Sequence, residues 1–472
     1  MRGRLIVAFG LFLASAAAAG APARYALRYD AVSAAMAVRL CLPDAAARVE
    51  FTADRRALQF VEALRRESGF ALTRNDGGWS AADWRAGECL DWRAALGRIA
   101  DSGRGGARRG DAIVVDPDLW LLRTADAALR DAAEADVSLP PGYAISAPWR
   151  PLSSTDDDAR FAIPPTPKDW LARVAIGRFD SETIALAGGT LRVSFLGGID
   201  AAERGKLEAW LGRVGRATLS AYGKLPLDDV QVLIVPVRAG DDPVEFGQSS
   251  RGQGHALTLF LDPAEPVAAL DRDWVAVHEL AHLFHPYLGD EGSWLAEGLA
   301  TYYQNVLRAR AGLLTPDEAW AQIDAGFARG RSATRRGGDV PLGASGKHPN
   351  YMRTYWSGTA FWLEVDTELR RKSANALDVD EALRRFDACC LPSYRAWAPA
   401  EFVAKLDALI GCDVFQKRFA VYAARRDFPS VEPLYRELGL RRSGATLVPD
   451  DAAPLAGVRR AIMRAAPATP AD

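Results

Sequence analysis

Between Tyr25 and about Trp149 apolar and polar positions alternate in short runs, and Tyr25 to Tyr29 and Ala35 to Leu40 read as strands with one face buried. Ala57 to Arg66 carries helical spacing. Gly103 to Gly110 is a Gly/Arg-rich loop, and Ser153 to Asp158 reads as a polar linker before the Pro-rich Ile163 to Lys168, which predicts a domain boundary near 150–175. Beyond Gly177 the pattern changes. Strands are expected at Thr183 to Ala187, Leu191 to Phe195 and Val230 to Val237, with an amphipathic helix from Ala201 to Tyr222. One more strand, Ala256 to Leu261, follows the Gly-rich Arg251 to Gly254. From Val267 onward the convincing segments are helical: Trp274 to Leu288, Trp294 to Arg308, Pro316 to Ala328, Tyr355 to Arg371 and Pro399 to Leu409. Strands first and helices afterwards predict an α+β arrangement: a β-rich N-terminal domain over 21–170, a second domain over 171–430 whose C-terminal lobe is mostly helical, and an extension with a frayed Pro/Ala-rich tail over 431–472.

Residues 1–20 stand apart from this pattern. A basic start at Arg2 and Arg4, a short apolar run from Leu5 to Leu13 and the small-residue run Ala14 to Ala19 form a Sec signal peptide, and the run is too short to anchor in a bilayer. The expected location is the periplasm or the cell exterior, with no stable membrane insertion after cleavage. With 58 basic and 60 acidic side chains interspersed and a formal net charge of -2, nothing points to a nucleic-acid surface. A peptide or protein substrate fits better, and oligomeric state is left open. Five cysteines would meet an oxidising compartment; Cys41 with Cys89, and Cys412 with Cys389 or Cys390, keeps each bridge within one segment.

The chemistry is concentrated in Trp274 to His285, which contains His278-Glu279-Leu280-Ala281-His282 on an apolar helical segment. Residues four apart on a helix lie on one face, about 40° around the axis, so His278 and His282 can offer nitrogens to one ion. Glu279 is offset by about 100°, beside the ion, where its carboxylate can take a proton from water. Of only five histidines, three fall between 278 and 285; His285 suits a supporting or packing role better than ligation. A catalytic zinc takes three protein ligands and keeps a position open. Glu297, on the next helix among small neighbours, is the candidate third ligand, with Asp290 and Glu291 weaker rivals in the turn. One zinc per chain, on His278, His282 and Glu297, follows.

HExxH followed by Trp294-Leu295-Ala296-Glu297-Gly298-Leu299-Ala300-Thr301-Tyr302-Tyr303 resembles the gluzincin metallopeptidases, and among them most resembles the glycyl aminopeptidase family. Val137 to Tyr143, Val174 to Phe179 and Tyr355-Trp356-Ser357-Gly358 are similar to that family's segments in the same order. The resemblance implies a thermolysin-like catalytic domain behind the β-rich one, peptide-bond hydrolysis, and a tyrosine that steadies the oxyanion. Tyr355 holds the matching place and Tyr351 is the fallback. Where relatives that trim free N-termini carry a glutamate in a Gly-rich segment, Arg251 to His255 has none, and Glu245 is the nearest substitute; exo- versus endopeptidase action stays open. The family's usual PDZ domain is not expected in the short stretch after Phe428. The rival reading is a non-catalytic periplasmic peptide-binding protein with a structural zinc site. Ala256 to Leu261 is the strand expected to pair with an extended substrate.

Overall fold

The structure is a computed structural model that describes residues 21–124, 133–154, 158–238, 240–336, 340–346, 350–444 and 446–464. The expected signal peptide over 1–20 and the tail beyond Arg464 lie outside the described residues.

Alternation drives the N-terminal region. In Ala23–Asp30 the residues Ala23, Tyr25, Leu27 and Tyr29 are buried while Arg24, Ala26, Arg28 and Asp30 face solvent. This strand lies central in a seven-stranded sheet ordered Arg150–Ser154, Asp158–Ile163, Ala133–Ser138, Ala23–Asp30, Ala35–Cys41, Cys89–Ala94 and Val61–Arg66. Two four-stranded sheets complete the region, and one core gathers apolar side chains from Ala23 to Ile176.

Three local expectations fail here. Instead of a helix over Ala57 to Arg66, Asp54 caps one 3-10 turn at Arg55–Gln59, and Val61–Arg66 pairs antiparallel with Cys89–Ala94. Sheet pairing outweighs local helical spacing, and it seats Arg66 on buried Glu88. The supposed loop at 103–110 contains the strand Gly106–Arg109, hydrogen-bonded to Ala112–Val115. On either side of the supposed linker, Arg150–Ser154 and Asp158–Ile163 are strands that pair with each other.

Asp180–Leu186, Gly189–Phe195, Asp229–Pro236, Ala256–Leu261 and Val244–Ser250 form a five-stranded sheet in that order. Ala256–Leu261 is therefore an interior strand, paired on both sides, and cannot add a substrate strand as expected. Val244–Ser250 lies beyond it, at one of the sheet's two edges. Helix Ala201–Leu219, started by an Asp200/Glu203 capping box, packs with Val275–Ala281, and a second core runs from Leu191 to Met463. Two long helices, Ser293–Arg310 and Tyr351–Ser373, cross where Gly298 and Gly358 meet: a Cβ on Gly358 would stand 1.9 Å from the Trp294 carbonyl oxygen. The residues after 431 pack on this helical core through Tyr435, Leu438 and Ile462. Among the described residues no helix is long and apolar enough to cross a membrane.

Cys41 and Cys89 are bonded across neighbouring strands, as expected. Cys412 is not bridged. Cys389 and Cys390, adjacent at the end of helix Val379–Cys390, bond to each other, and the Cys412 thiol is held instead by Asp407 Oδ1 at 3.0 Å.

Candidate metal centre

The HExxH segment is shorter as a helix than its spacing suggests: Val275–Ala281 is α-helical, His282–Phe284 is a 3-10 turn, and His285 is extended. The helix start is held by Asp273, whose Oδ1 accepts the Val275 N–H at 2.7 Å. Its end is held by half-buried Arg251, which donates to the carbonyls of His282 and His285 at 2.6 and 3.3 Å. Burial pushes the Arg251 guanidinium down to about 10, so it stays charged at neutral pH and balances the helix C-terminus.

His278, His282 and Glu297 converge as anticipated, all three buried, with ligand atoms within 4.8 Å of one another. His278 Nε2 lies 3.2 Å and His282 Nε2 3.5 Å from Glu297 Oε2. Donors about 2.0–2.1 Å from a tetrahedral zinc stand roughly 3.4 Å apart, so this spacing fits such an ion. Among the described residues no other group of histidine, cysteine, aspartate or glutamate side chains converges in this way.

The remaining nitrogens orient the imidazoles. Nδ1 of His278 donates to Gln304 Oε1 at 2.8 Å, which leaves Nε2 with its lone pair toward the centre. His285 Nδ1 donates to the Pro286 carbonyl at 2.7 Å, so its Nε2 can accept from His282 Nδ1 at 3.1 Å and free His282 Nε2 in the same way. His285 stands behind a ligand rather than in the ligand set. Burial pushes the Glu297 carboxyl up, but the two imidazoles reverse this and hold it well below the usual carboxylate range. Gln304 was missed in the sequence, although it sits seven residues beyond Glu297 on the same helix face, a legible signal.

A cleft of about 390 Å³ opens onto this centre. Its wall is the edge strand Val244–Ser250, whose Ser249 N–H donates to Glu279 Oε2 at 2.6 Å. The strand can come this close because residue 247 is glycine; a Cβ there would lie 2.7 Å from Glu279 Cγ. Tyr355 also lines the cleft, stacked on His278 with ring centroids 5.7 Å apart and hydrogen-bonded to Glu297. Burial, then Glu297, push its hydroxyl well above the usual tyrosine range, so it remains a donor. Tyr351 is half exposed and packs on Tyr355 from outside the lining. Asp290 and Glu245 are exposed residues on the cleft wall, and Glu291 is outside it.

Arg251 to His255 is not an open amine-binding loop. Its glycines are packed between the two regions: a Cβ on Gly252 would meet the Trp170 carbonyl oxygen at 2.2 Å, and one on Gly254 the Pro148 carbonyl oxygen at 1.8 Å. Gln253 accepts from Trp149 Nε1 at 2.7 Å. The carboxylates available to a substrate are those of the cleft.

No protein-family model and no curated sequence matches this chain. The fold has solved counterparts. An aminopeptidase N family protein from Idiomarina loihiensis superposes with a TM-score of 0.67 at 13% identity, over 89% of this chain and 78% of that one. An M1 zinc metallopeptidase from Deinococcus radiodurans gives 0.51 at 14% identity, over 87% and 93%. Yeast LTA4 hydrolase gives 0.55 at 12% identity, over 87% and 68%. The architecture is therefore that of the M1 zinc metallopeptidases, in line with the gluzincin resemblance of the HExxH and Trp-Leu-Ala-Glu-Gly segments.

Proposed function

We propose that this protein is a zinc-dependent peptidase that binds one Zn2+ on His278, His282 and Glu297 and hydrolyses peptide bonds with Glu279 as general base. The observation that carries the reading is a three-donor set of tetrahedral spacing with a second carboxylate, Glu279, pinned beside it in an open cleft. It draws support from the neighbours, one of which, the Deinococcus radiodurans enzyme, is described with a Tyr-Ser-Ala substrate. We place it in the periplasm or outside the cell on its amino-terminal sequence.

Bound there, zinc supplies a Lewis acid that polarises the scissile carbonyl and makes water acidic enough to be deprotonated near neutral pH. Glu279 uses one oxygen to hold the Ser249 N–H, which leaves the other free to take the proton from the attacking water and hand it to the leaving amine. Tyr355 donates its hydroxyl hydrogen to the oxygen that gains charge as the carbonyl becomes tetrahedral. The edge strand Val244–Ser250 offers backbone groups to an extended substrate, which aligns the scissile bond under Glu279. A purely structural zinc site is normally closed by four ligands, whereas His285 here is turned to His282 and the cleft reaches the three donors. This favours the peptidase over the peptide-binding reading.

The test is Glu279→Gln in zinc-quantified protein against a mixed peptide library read by mass spectrometry, with and without chelator. Turnover is expected to fall by about 10²–10⁴ with zinc retained. A fully active variant rejects the assignment. Release of single N-terminal residues by the unaltered protein identifies an aminopeptidase, with Glu245 the first amine-binding candidate; internal cuts identify an endopeptidase.

A further inference from the structure

The catalytic sheet has a second cavity, on the face turned away from the HExxH helix. Along Ala256–Leu261 the side chains of Leu257, Leu259 and Leu261 enter the helical core, whereas Thr258 and Phe260 line a space of about 260 Å³ on the other side. The hairpin Gly106–Val115 and the segment Leu171–Arg173 close it.

Two guanidiniums enter this cavity without a salt bridge, although Arg173 feels the charge of Asp116 in the same wall. Arg173 donates from Nη2 to Gln248 Oε1 at 2.8 Å, and Arg109 donates to the Arg108 carbonyl at 2.9 Å; among the described residues neither forms a salt bridge. The buried Thr258 lies in the wall. One carboxylate is present: Asp116, whose Oδ1 accepts the Asp118 N–H at 3.0 Å. Burial pushes the Arg173 guanidinium down and the Asp116 carboxyl up, so both charges are short of solvation. Val235 and Phe260 supply an apolar wall. The volume falls just below the roughly 300–1,000 Å³ typical of drug-sized ligands, which suits something smaller.

We infer that this cavity binds a small zwitterion of the α-amino-acid class, its carboxylate on Arg109 and Arg173, its ammonium on Asp116, and its side chain against Val235 and Phe260. Two arginines against one carboxylate leave an excess of positive charge that alone would suit any anion; Asp116 and the apolar wall select the zwitterion. The site is independent of the peptidase reading. Its position nonetheless matters for that reading, because Gln248 precedes Ser249, whose N–H holds Glu279, so an occupant competes for Arg173 one residue from the base's anchor.

The experiment is calorimetric titration of the zinc-loaded full-length protein with L-leucine, N-acetyl-L-leucine, L-leucinamide and inorganic phosphate. L-leucine is expected to bind, and masking either of its charged ends, or Arg173→Met, is expected to weaken binding by at least about tenfold, the loss of one charge-assisted contact. Arg109→Met gives the same outcome by a second route if Arg173→Met fails to fold. Leucine binding should survive in the His278→Ala/His282→Ala variant, which removes the metal centre. Binding that disappears in that variant but persists in Arg173→Met and Arg109→Met belongs to the cleft and overturns the proposal. So does phosphate binding without leucine binding, or no heat from leucine up to about 10 mM.

Discussion

Helix Ser293–Arg310 carries two buried polar clusters, one near each end, and they are built on opposite principles. Near its C-terminus Tyr302 donates to Asp366 at 2.6 Å, Tyr303 to Asp380 at 2.7 Å, and Arg310 pairs with Asp380 at 2.7 Å. Arg370 closes the group on Asp366 and Asp378 at 3.1 and 3.0 Å. Three carboxylates face two guanidiniums, and burial, with Asp380 and Asp366 adding to it, pushes Asp378 up to about 6, while each guanidinium finds its counter-charge within the cluster. At the other end Glu297, His278 and His282 point lone pairs at one spot, Glu279 adds a second carboxylate, and the nearest cation, Arg251, is committed to backbone carbonyls. Equal burial thus yields a closed cluster that needs nothing and an open one that is complete only with a cation from outside.

The contrast can be broken in several ways. Replacing His278 or His282 by alanine should take zinc from one per chain to none by elemental analysis while circular dichroism stays unchanged; a variant that keeps its ion would show that the open cluster is not the metal centre. Asp366→Ala leaves the buried Tyr302 hydroxyl without its acceptor and Arg370 with Asp378 as its remaining close carboxylate, and should cost about 1–3 kcal/mol in denaturant unfolding with zinc content unaltered. If zinc falls in step with stability, the two ends of the helix are not separate.

A second closed group, the Arg66–Glu88 pair in the β-rich region, sharpens the comparison by pH. The Arg66 guanidinium, assisted against burial by Ser68 and the Arg85 N–H, pushes the Glu88 carboxyl down to about 2 from 4.5. Because the folded value lies below the unfolded one, this stabilisation is complete above about pH 4.5 and lost as pH falls toward 2. It amounts to up to about 3 kcal/mol. Acid unfolding of Glu88→Gln should lack this dependence; an unchanged profile would remove the pair from the closed class. The smallest effect is expected from Gln304→Leu, which frees His278 Nδ1 and should weaken zinc affinity by about 10–100-fold in competition with a chelator, without loss of stoichiometry at saturating metal.

The metal centre was legible because helical spacing is short-range geometry: His278, Glu279 and His282 are placed by three or four residues of chain, and Glu297 by the next helix. The pattern of Tyr25 to Tyr29 and of Ala256 to Leu261 likewise identified strands, since alternation reports a buried face. What alternation cannot report is a strand's neighbours. The sheet edge therefore had to be read from the structure, which assigns it to Val244–Ser250 instead of Ala256–Leu261.

Long-range pairing decided the rest. It turned 61–66 from helical spacing into a strand and packed Arg251 to His255, a stretch without a carboxylate, between two regions, whereas the cysteine expectation failed for a local reason, the bond between the adjacent Cys389 and Cys390. The sequence by itself determined which side chains could bind a metal and the fold class that would carry them, because both follow from local periodicity and residue chemistry. Only the tertiary structure decided which backbone lies beside Glu279, how each imidazole is turned and what lies behind the sheet, because those depend on contacts between segments tens of residues apart in the chain.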